Sequence, residues 1–237
     1  MKLFVFEGKR DRKYFNSLQK EFFSRSKEEI LCVYAGNIYS LYNIIGDYGE
    51  SADIVRILKD RANQSDPVLA VENSSDISEI YLFFDYDIHH DDGKTVDDKN
   101  KMIKEMLEFF SDETDHGKLY LHYPMVESLK YTKEVVDEEY YSYSVPINEV
   151  EDFKQLSAGF TFYQHGLPLS KSFWLGLKEQ NVSKANYIVN DKNQKPDDVE
   201  DITQVKIFDS HLNKYFANGC VAVLNALPIF IYDYFGK

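Results

Sequence analysis

Cysteine is nearly absent. The 237-residue chain has two, Cys32 and Cys220, and no C-x-x-C. That excludes a disulfide scaffold, and a reducing cytoplasm is the simplest expectation. Eleven glycines and six prolines are too few for a collagen-like or low-complexity chain. Long apolar runs are missing as well. The most apolar stretch, Cys220 to Tyr232, is broken by Asn225 and Pro228. A membrane span needs about 20 apolar residues, so this stretch reads as buried helix and no membrane association is expected. At the start only Leu3 to Phe6 are apolar before Glu7-Gly8-Lys9-Arg10. A signal peptide needs an apolar core of about 7–15 residues, so none is expected. Positive charge is also short. The 27 Lys and Arg face 40 Asp and Glu, for a net charge of −13. Phosphate contacts supply most non-specific affinity for nucleic acid, so a duplex-coating protein is excluded. Action on nucleic acid would need a local basic cluster, metal ions that screen the carboxylates, or a partner's surface. There is no G-x-x-x-x-G-K-[ST] and no G-x-S-x-G. An ATPase activity would have to come from another protein.

What is present is a core. Hydrophobic residues make up 43% of the chain, with 18 Tyr and 17 Phe, so global disorder is excluded. Leu3 to Phe6 is a short apolar run that suits a buried strand. From Asp11 to Phe23, Tyr14, Phe15, Leu18, Phe22 and Phe23 recur at helical spacing. Ile30 to Ala35 is a second apolar run, closed by Gly36-Asn37. Helices are expected from Ile38 to Ile45, from Ala52 to Ala62 and from Met102 to Phe110. Ile80-Tyr81-Leu82-Phe83-Phe84 is the clearest strand and runs directly into Asp85-Tyr86-Asp87. Leu119-Tyr120-Leu121 is a short fourth strand. This alternation predicts an α/β fold with a mainly parallel four-stranded sheet flanked by helices. After about residue 130 the pattern changes. Asn148-Glu149-Val150-Glu151 has the spacing of a helix start, and Phe173–Leu177, Ile207–Phe216 and Val221–Tyr234 look helical. The expected organisation is an α/β domain over 1–130 and a mostly helical C-terminal lobe over 131–237, with the boundary near 130–145.

In a parallel sheet, ligands bind beyond the carboxyl ends of the strands. Glu7 stands at the end of the first strand, and Asp85 and Asp87 at the end of the third. Residues i and i+2 of a strand project to one side, so Asp85 and Asp87 go together. Carboxylates gathered at one edge repel each other unless something positive lies between them. Mg²⁺ suits such an all-oxygen site, and with substrate phosphate it can polarise a phosphoryl oxygen and activate water. The bland alternative is three unrelated acids at strand ends.

Glu7-Gly8-Lys9-Arg10-Asp11 resembles the E-G-x-x-D/E motif of Toprim domains, and Asp85-Tyr86-Asp87 resembles their D-x-D motif. Order and spacing match over roughly residues 1–130. Toprim domains occur in topoisomerases, primases, RNA-processing nucleases, overcoming-lysogenization-defect nucleases and compact anti-phage effectors. The resemblance implies that Glu7, Asp85 and Asp87 are catalytic acids that organise Mg²⁺ or Mn²⁺ for phosphodiester chemistry. It implies that Asp11 contributes to a metal site, and that Glu127, after the fourth strand, falls where defence-associated members carry another metal-binding Glu. No gyrase-like or primase-like companion is visible, which argues against those two activities. The function implied is a metal-dependent nuclease cutting RNA or DNA, an anti-phage effector with an ABC/SMC-type ATPase partner, and a homodimer is a further option. The alternative from another class is a non-catalytic Toprim scaffold that docks an ATPase partner through its C-terminal lobe.

Lys9, Arg10, Arg12 and Lys13 form the densest basic cluster. The helix dipole disfavours cations at a helix start. Phosphate binding by Lys9 and Arg10 gives the cluster a reason, and a solvated helix start is the plain alternative. Asp11 could equally be a helix cap, and Glu127 a surface acid. His89 and His90, without cysteine partners or H-E-x-x-H, read as exposed residues rather than zinc ligands. Tyr140-Tyr141-Ser142-Tyr143 could stack on bases or pack against a neighbouring element.

Overall fold

Lys2–Phe6 forms strand β1, and it is buried along its whole length because a neighbour pairs on each side. The computed structural model describes residues 1–49 and 52–236. After β1 come α1 (Lys9–Phe22), β2 (Ile30–Tyr34), α2 (Ile38–Tyr48), α3 (Ile54–Asp60), β3 (Glu79–Asp85), α4 (Val96–Phe109), β4 (Ser111–Asp112) and β5 (Gly117–His122). The strands form one sheet in the order β2-β1-β3-β5-β4. β2 and β3 both run parallel to β1, so Phe6 lies opposite Tyr34 on one side and Phe83 on the other. The fold is α/β, with a mostly parallel five-stranded sheet flanked by helices. The expected fourth strand is β5. The additional strand is β4, whose two residues pair antiparallel with β5. Two residues are too few to leave a period-2 pattern.

Aromatic rings tile one face of the sheet. Phe4 stacks on Tyr81 at 5.1 Å, Phe6 on Phe83 at 5.6 Å and Phe83 on Tyr120 at 5.4 Å. They alternate with Leu3, Val5 and Leu82, all fully buried, as a sheet covered on both faces requires. Gly117 starts β5 at φ 119°, and a Cβ there would lie 2.8 Å from Leu82 Cδ1. Only glycine permits that approach and that backbone. Because β2 and β3 lie on opposite sides of β1, the strand order reverses between β1 and β3. A doubly wound sheet opens a ligand crevice at that switch point.

Packing divides the chain into two units. One comprises Met1–Lys13, Arg25–Phe84 and His90–Tyr120, the other Tyr14–Ser24, Asp85–His89 and Leu121–Lys237. Elements α1, β3 and β5 each contribute residues to both. The second unit adds β6 (Ser144–Pro146), α5 (Phe153–Ala158), α6 (Lys171–Asn190), α7 (Gln204–Lys214), β7 (Cys220–Ala222) and α8 (Ala226–Phe235). Three expectations for this region change. Residues 148–151 do not start an α-helix, because Ile147–Asp152 winds as a 3₁₀ turn that leads into α5. α6 extends well beyond Leu177 to Asn190, where Asp191 caps it at φ 59°. Its buried face carries Gln180, Asn181, Lys184 and Asn186, so it has no clean apolar stripe to read. The run from Val221 divides. Val221 pairs with Val145 in an antiparallel strand, and α8 begins only after Asn225 accepts the Leu227 N–H at 3.1 Å. Pro228 lies in the first turn of α8, where a missing N–H breaks no helical bond.

Candidate metal centre

The E-G-x-x-D segment has a local structural logic. The Glu7 N–H donates to the Phe83 carbonyl at 3.2 Å, which ties the end of β1 to β3. Gly8 precedes α1, and Asp11 is the third residue of that helix. The Asp11 carboxylate is 4% exposed and takes backbone N–H bonds from Gly8 and from its own residue. An acid at the third helical position reaches back in this way in a capping box. Burial nonetheless pushes its carboxyl up to about 6, against those hydrogen bonds and the charge of Arg10. Asp11 is therefore a capping group that also carries a desolvated charge.

Asp85 is the last residue of β3 and is half-buried. Its Oδ1 accepts the Val126 N–H at 2.9 Å. Val126 opens a 3₁₀ turn, Val126–Lys130, that is itself anchored. The Asn225 side-chain amide donates to the Val126 carbonyl at 2.9 Å and to Ser128 Oγ at 3.0 Å. The Asn225 N–H in turn donates to Asn181 Oδ1 at 2.8 Å. Asn181 also accepts the Tyr140 hydroxyl at 2.8 Å. A chain of buried, satisfied amides thus runs from α6 through the start of α8 to the turn that holds Asp85. Such networks fix geometry because an unmade bond in the interior is expensive.

The same helix start holds His122, the last residue of β5. The ring is fully buried, and its Nδ1 accepts the Ala226 N–H at 3.2 Å. Its carbonyl accepts the Tyr86 N–H at 2.9 Å. Burial drives the imidazole down to about 3, so it is neutral at physiological pH. With Nδ1 accepting, the ring proton sits on Nε2. Asp11, Asp85 and His122 each present a potential ligand atom, and these atoms lie within 4.8 Å of one another. In that tautomer Nε2 is a donor. His122 is thus set up to orient a carboxylate oxygen, and binding metal through Nε2 would require losing that proton.

The other expected residues distribute as follows. Glu7, at the end of β1, is half-buried and outside this three-residue group. Asp87 is half-buried, and its Oδ1 accepts the His89 N–H at 3.2 Å in a local turn. Glu127 is 4% exposed in the 3₁₀ turn, which removes the surface-acid reading. Neither Asp87 nor Glu127 belongs to the group. Lys9 and Arg10 are exposed on the first turn of α1. His89 and His90 are in no metal-ligand cluster among the described residues. His89 Nε2 lies 2.9 Å from the Ile147 carbonyl, and His90 stacks on Tyr39. The tyrosine run is mostly structural. Tyr140 is buried, and the Tyr143 hydroxyl donates to Asp137 at 2.9 Å.

The donor chemistry fits a hard divalent cation. Two carboxylates in a partly desolvated site repel each other, and a cation bridging them offsets both charges. Oxygen donors with a protonated Nε2 beside them suit Mg²⁺ or Mn²⁺ better than Zn²⁺. His122 and Asn225 are the residues that sequence reading missed. A histidine ending the apolar run Leu119-Tyr120-Leu121 was a visible clue to the first. Nothing local marks the second.

No protein-family model, curated protein or solved structure matches this chain. No helix among the described residues is long and apolar enough to cross a membrane.

Proposed function

We propose that this protein is a Mg²⁺- or Mn²⁺-dependent phosphodiesterase that cuts nucleic acid. One observation carries the reading: Asp11, Asp85 and His122 converge at the carboxyl ends of a parallel sheet whose order switches between β1 and β3. The resemblance of Glu7-Gly8-Lys9-Arg10-Asp11 and Asp85-Tyr86-Asp87 to Toprim nucleases supports it. A bound divalent cation would polarise a phosphoryl oxygen and make a water a better nucleophile. Asp11 and Asp85 would hold it, and Glu7, Asp87 and Glu127 stand on the adjoining segments as further acids. Buried His122 would turn its Nε2–H toward one of these carboxylates. Lys9 and Arg10 meet the incoming phosphates and give an acidic protein a local patch of the right sign. The finer reading is an anti-phage effector that works with an ABC/SMC-type ATPase, and it rests on the Toprim resemblance alone.

The test is cleavage of single-stranded and duplex RNA and DNA with Mn²⁺, comparing wild type with Asp85→Asn and Asp11→Asn. The expected result is cleavage by the wild type and a loss of at least about 100-fold in each variant, as befits removal of a metal-held charge. Folded variants that cut as well as the wild type would favour a non-catalytic scaffold. So would a wild type that cuts nothing.

A further inference from the structure

Beside the proposed phosphate site, the edge strand β2 ends in an open cavity that the metal chemistry does not use. It has a volume of about 190 Å³ and is lined by Tyr34, Ala35, Gly36, Leu41, Arg61 and Asp66, with Ile57 and Leu58. Its floor is apolar, because Ala35, Leu41, Ile57 and Leu58 are all buried core residues. Its rim is polar and aromatic. Tyr34 is 37% exposed, an unusual place for a large ring at a strand end. Arg12, from the basic first turns of α1, holds its guanidinium 5.8 Å from that ring's centroid. Among the described residues, neither Arg61 nor Asp66 makes an ion pair. The cavity therefore offers a donor fork from Arg61 and an acceptor from Asp66, whose other oxygen caps Val68 at 3.0 Å. Gly36, at φ 77°, leaves open space where a side chain would project.

We infer that this cavity is a nucleobase subsite, in which one base of a single-stranded substrate stacks on Tyr34 and turns its polar edge to Arg61 and Asp66. The size limits the ligand. Drug-sized ligands occupy cavities of roughly 300–1,000 Å³, so this one admits a single ring system and not a whole nucleotide. The place fits a substrate running past the cation. Tyr34 lies opposite Phe6, the residue before Glu7. Adjacent strands are about 4.8 Å apart, so the Tyr34 backbone lies one strand spacing from that of Phe6, next in sequence to Glu7. The chemistry fits too. Aromatic rings beside a basic track are how single strands are held without strict sequence reading, and arginine adds a cation–π contribution. A base there also explains why a net-negative protein exposes an aromatic ring beside Arg12 and Arg61. This inference rests on the nuclease reading for its substrate class.

The experiment measures binding rather than cleavage. Fluorescence anisotropy with Ca²⁺ in place of Mg²⁺ would follow labelled octanucleotides of single-stranded RNA and DNA. A strand of the same length with abasic sites would serve as the control. Tyr34→Ala is expected to raise the Kd for base-bearing strands by roughly 5- to 150-fold, the range that loss of one stacked base gives. It should leave the Kd for the abasic strand unchanged. Tyr34→Phe should bind like the wild type, and Arg61→Gln should lose less than Tyr34→Ala. Because Tyr34 is a surface ring, an unchanged Tm is expected and excludes unfolding as the cause. Equal Kd for the wild type and Tyr34→Ala on base-bearing strands overturns the subsite and leaves the nuclease reading standing. Tyr34-dependent binding by a wild type that never cleaves overturns the nuclease reading and keeps the subsite. No binding of base-bearing strands by the wild type overturns the subsite, and the nuclease reading then stands or falls on the cleavage assay.

Discussion

The two ends of the sheet solve opposite charge problems. At the amino end Lys2 is 5% exposed, and its Nζ lies 2.8 Å from Glu79 and 3.2 Å from Glu28. A buried cation there is compensated by acids within the fold. At the carboxyl end stand Glu7, Asp11, Asp85 and Asp87, of which Asp11 and Asp85 gather with His122, and burial pushes the Asp11 carboxyl up to about 6. The same sheet thus pairs a buried cation at one end and brings carboxylates together at the other. A buried cation ringed by acids is neutralised within the fold, whereas neighbouring carboxylates repel each other unless a positive group lies between them.

Acid should break the carboxyl end first. Behind it, His211 packs 5.1 Å from the Tyr86 ring and 4.8 Å from the Tyr123 ring. His211 is fully buried, and neither ring nitrogen has a hydrogen-bond partner among the described residues. Burial, with the nearby charge of Lys184, lowers it to about 3. A depressed folded pKa means stability that is present above about pH 6.5 and lost as pH falls toward 3. The expected loss is about 1.4 kcal/mol per pH unit over that window. Urea titrations from pH 7 to 4 would measure it, and because buried His122 is lowered to about 3 as well, His211→Phe should remove about half of the slope. An unchanged slope would mean that the ring is hydrated in solution.

Charge removal should have opposite signs at the two ends. Lys2→Ala leaves Glu79 without its cation and should destabilise by about 1–2 kcal/mol, a partly exposed pair being worth less than a buried one. Asp11 runs the other way. Its folded pKa lies above the unfolded value of 3.8, so its favourable contribution is present below that value and lost as pH rises through about 6. At pH 8 the metal-free fold carries the penalty. Asp11→Asn should therefore stabilise metal-free protein by about 1–3 kcal/mol while abolishing stabilisation by Mn²⁺. Thermal scans with and without EDTA read both effects. Destabilisation of the metal-free form by Asp11→Asn would mean that capping outweighs desolvation.

The smallest expected effect separates orienting from ligating. His122→Gln keeps a donor near the Nε2 position, whereas His122→Ala removes it. If His122 orients a carboxylate, Gln should retain most of the Mn²⁺ affinity and Ala should lose about 10- to 100-fold, as for other residues that support metal ligands. Equal loss in both variants would make His122 a direct ligand. Cation preference shifting toward Zn²⁺ in the wild type would say the same.

The strands, and the placing of Glu7 and Asp85 at strand ends, were legible because their causes are local. Leu3–Phe6 and Ile80–Phe84 are uninterrupted apolar runs, each ending in an acid, and the helices between them carry 3.6-residue periodicity. Asp11 was visible as a candidate, but its dual nature was not, since burial is set by the packing of other elements. The misses share a physical origin. β4, β6 and β7 have two or three residues each, too short for a pattern. α6 buries polar residues whose partners, Tyr140 and Asn225, lie 41 and 44 positions away. His122 gains its role from the amide of Ala226, 104 positions on. A chain read one window at a time shows where groups end but not which distant amide fixes their tautomer.

The most direct test of a cation at the carboxyl end is calorimetric titration of Mn²⁺ and Mg²⁺ into EDTA-treated protein, run beside Asp85→Asn and Lys2→Ala. The expected result is saturable binding by the wild type and by Lys2→Ala, with binding lost in Asp85→Asn. Binding that persists in folded Asp85→Asn, or that disappears in Lys2→Ala, would place the cation elsewhere and contradict the assignment.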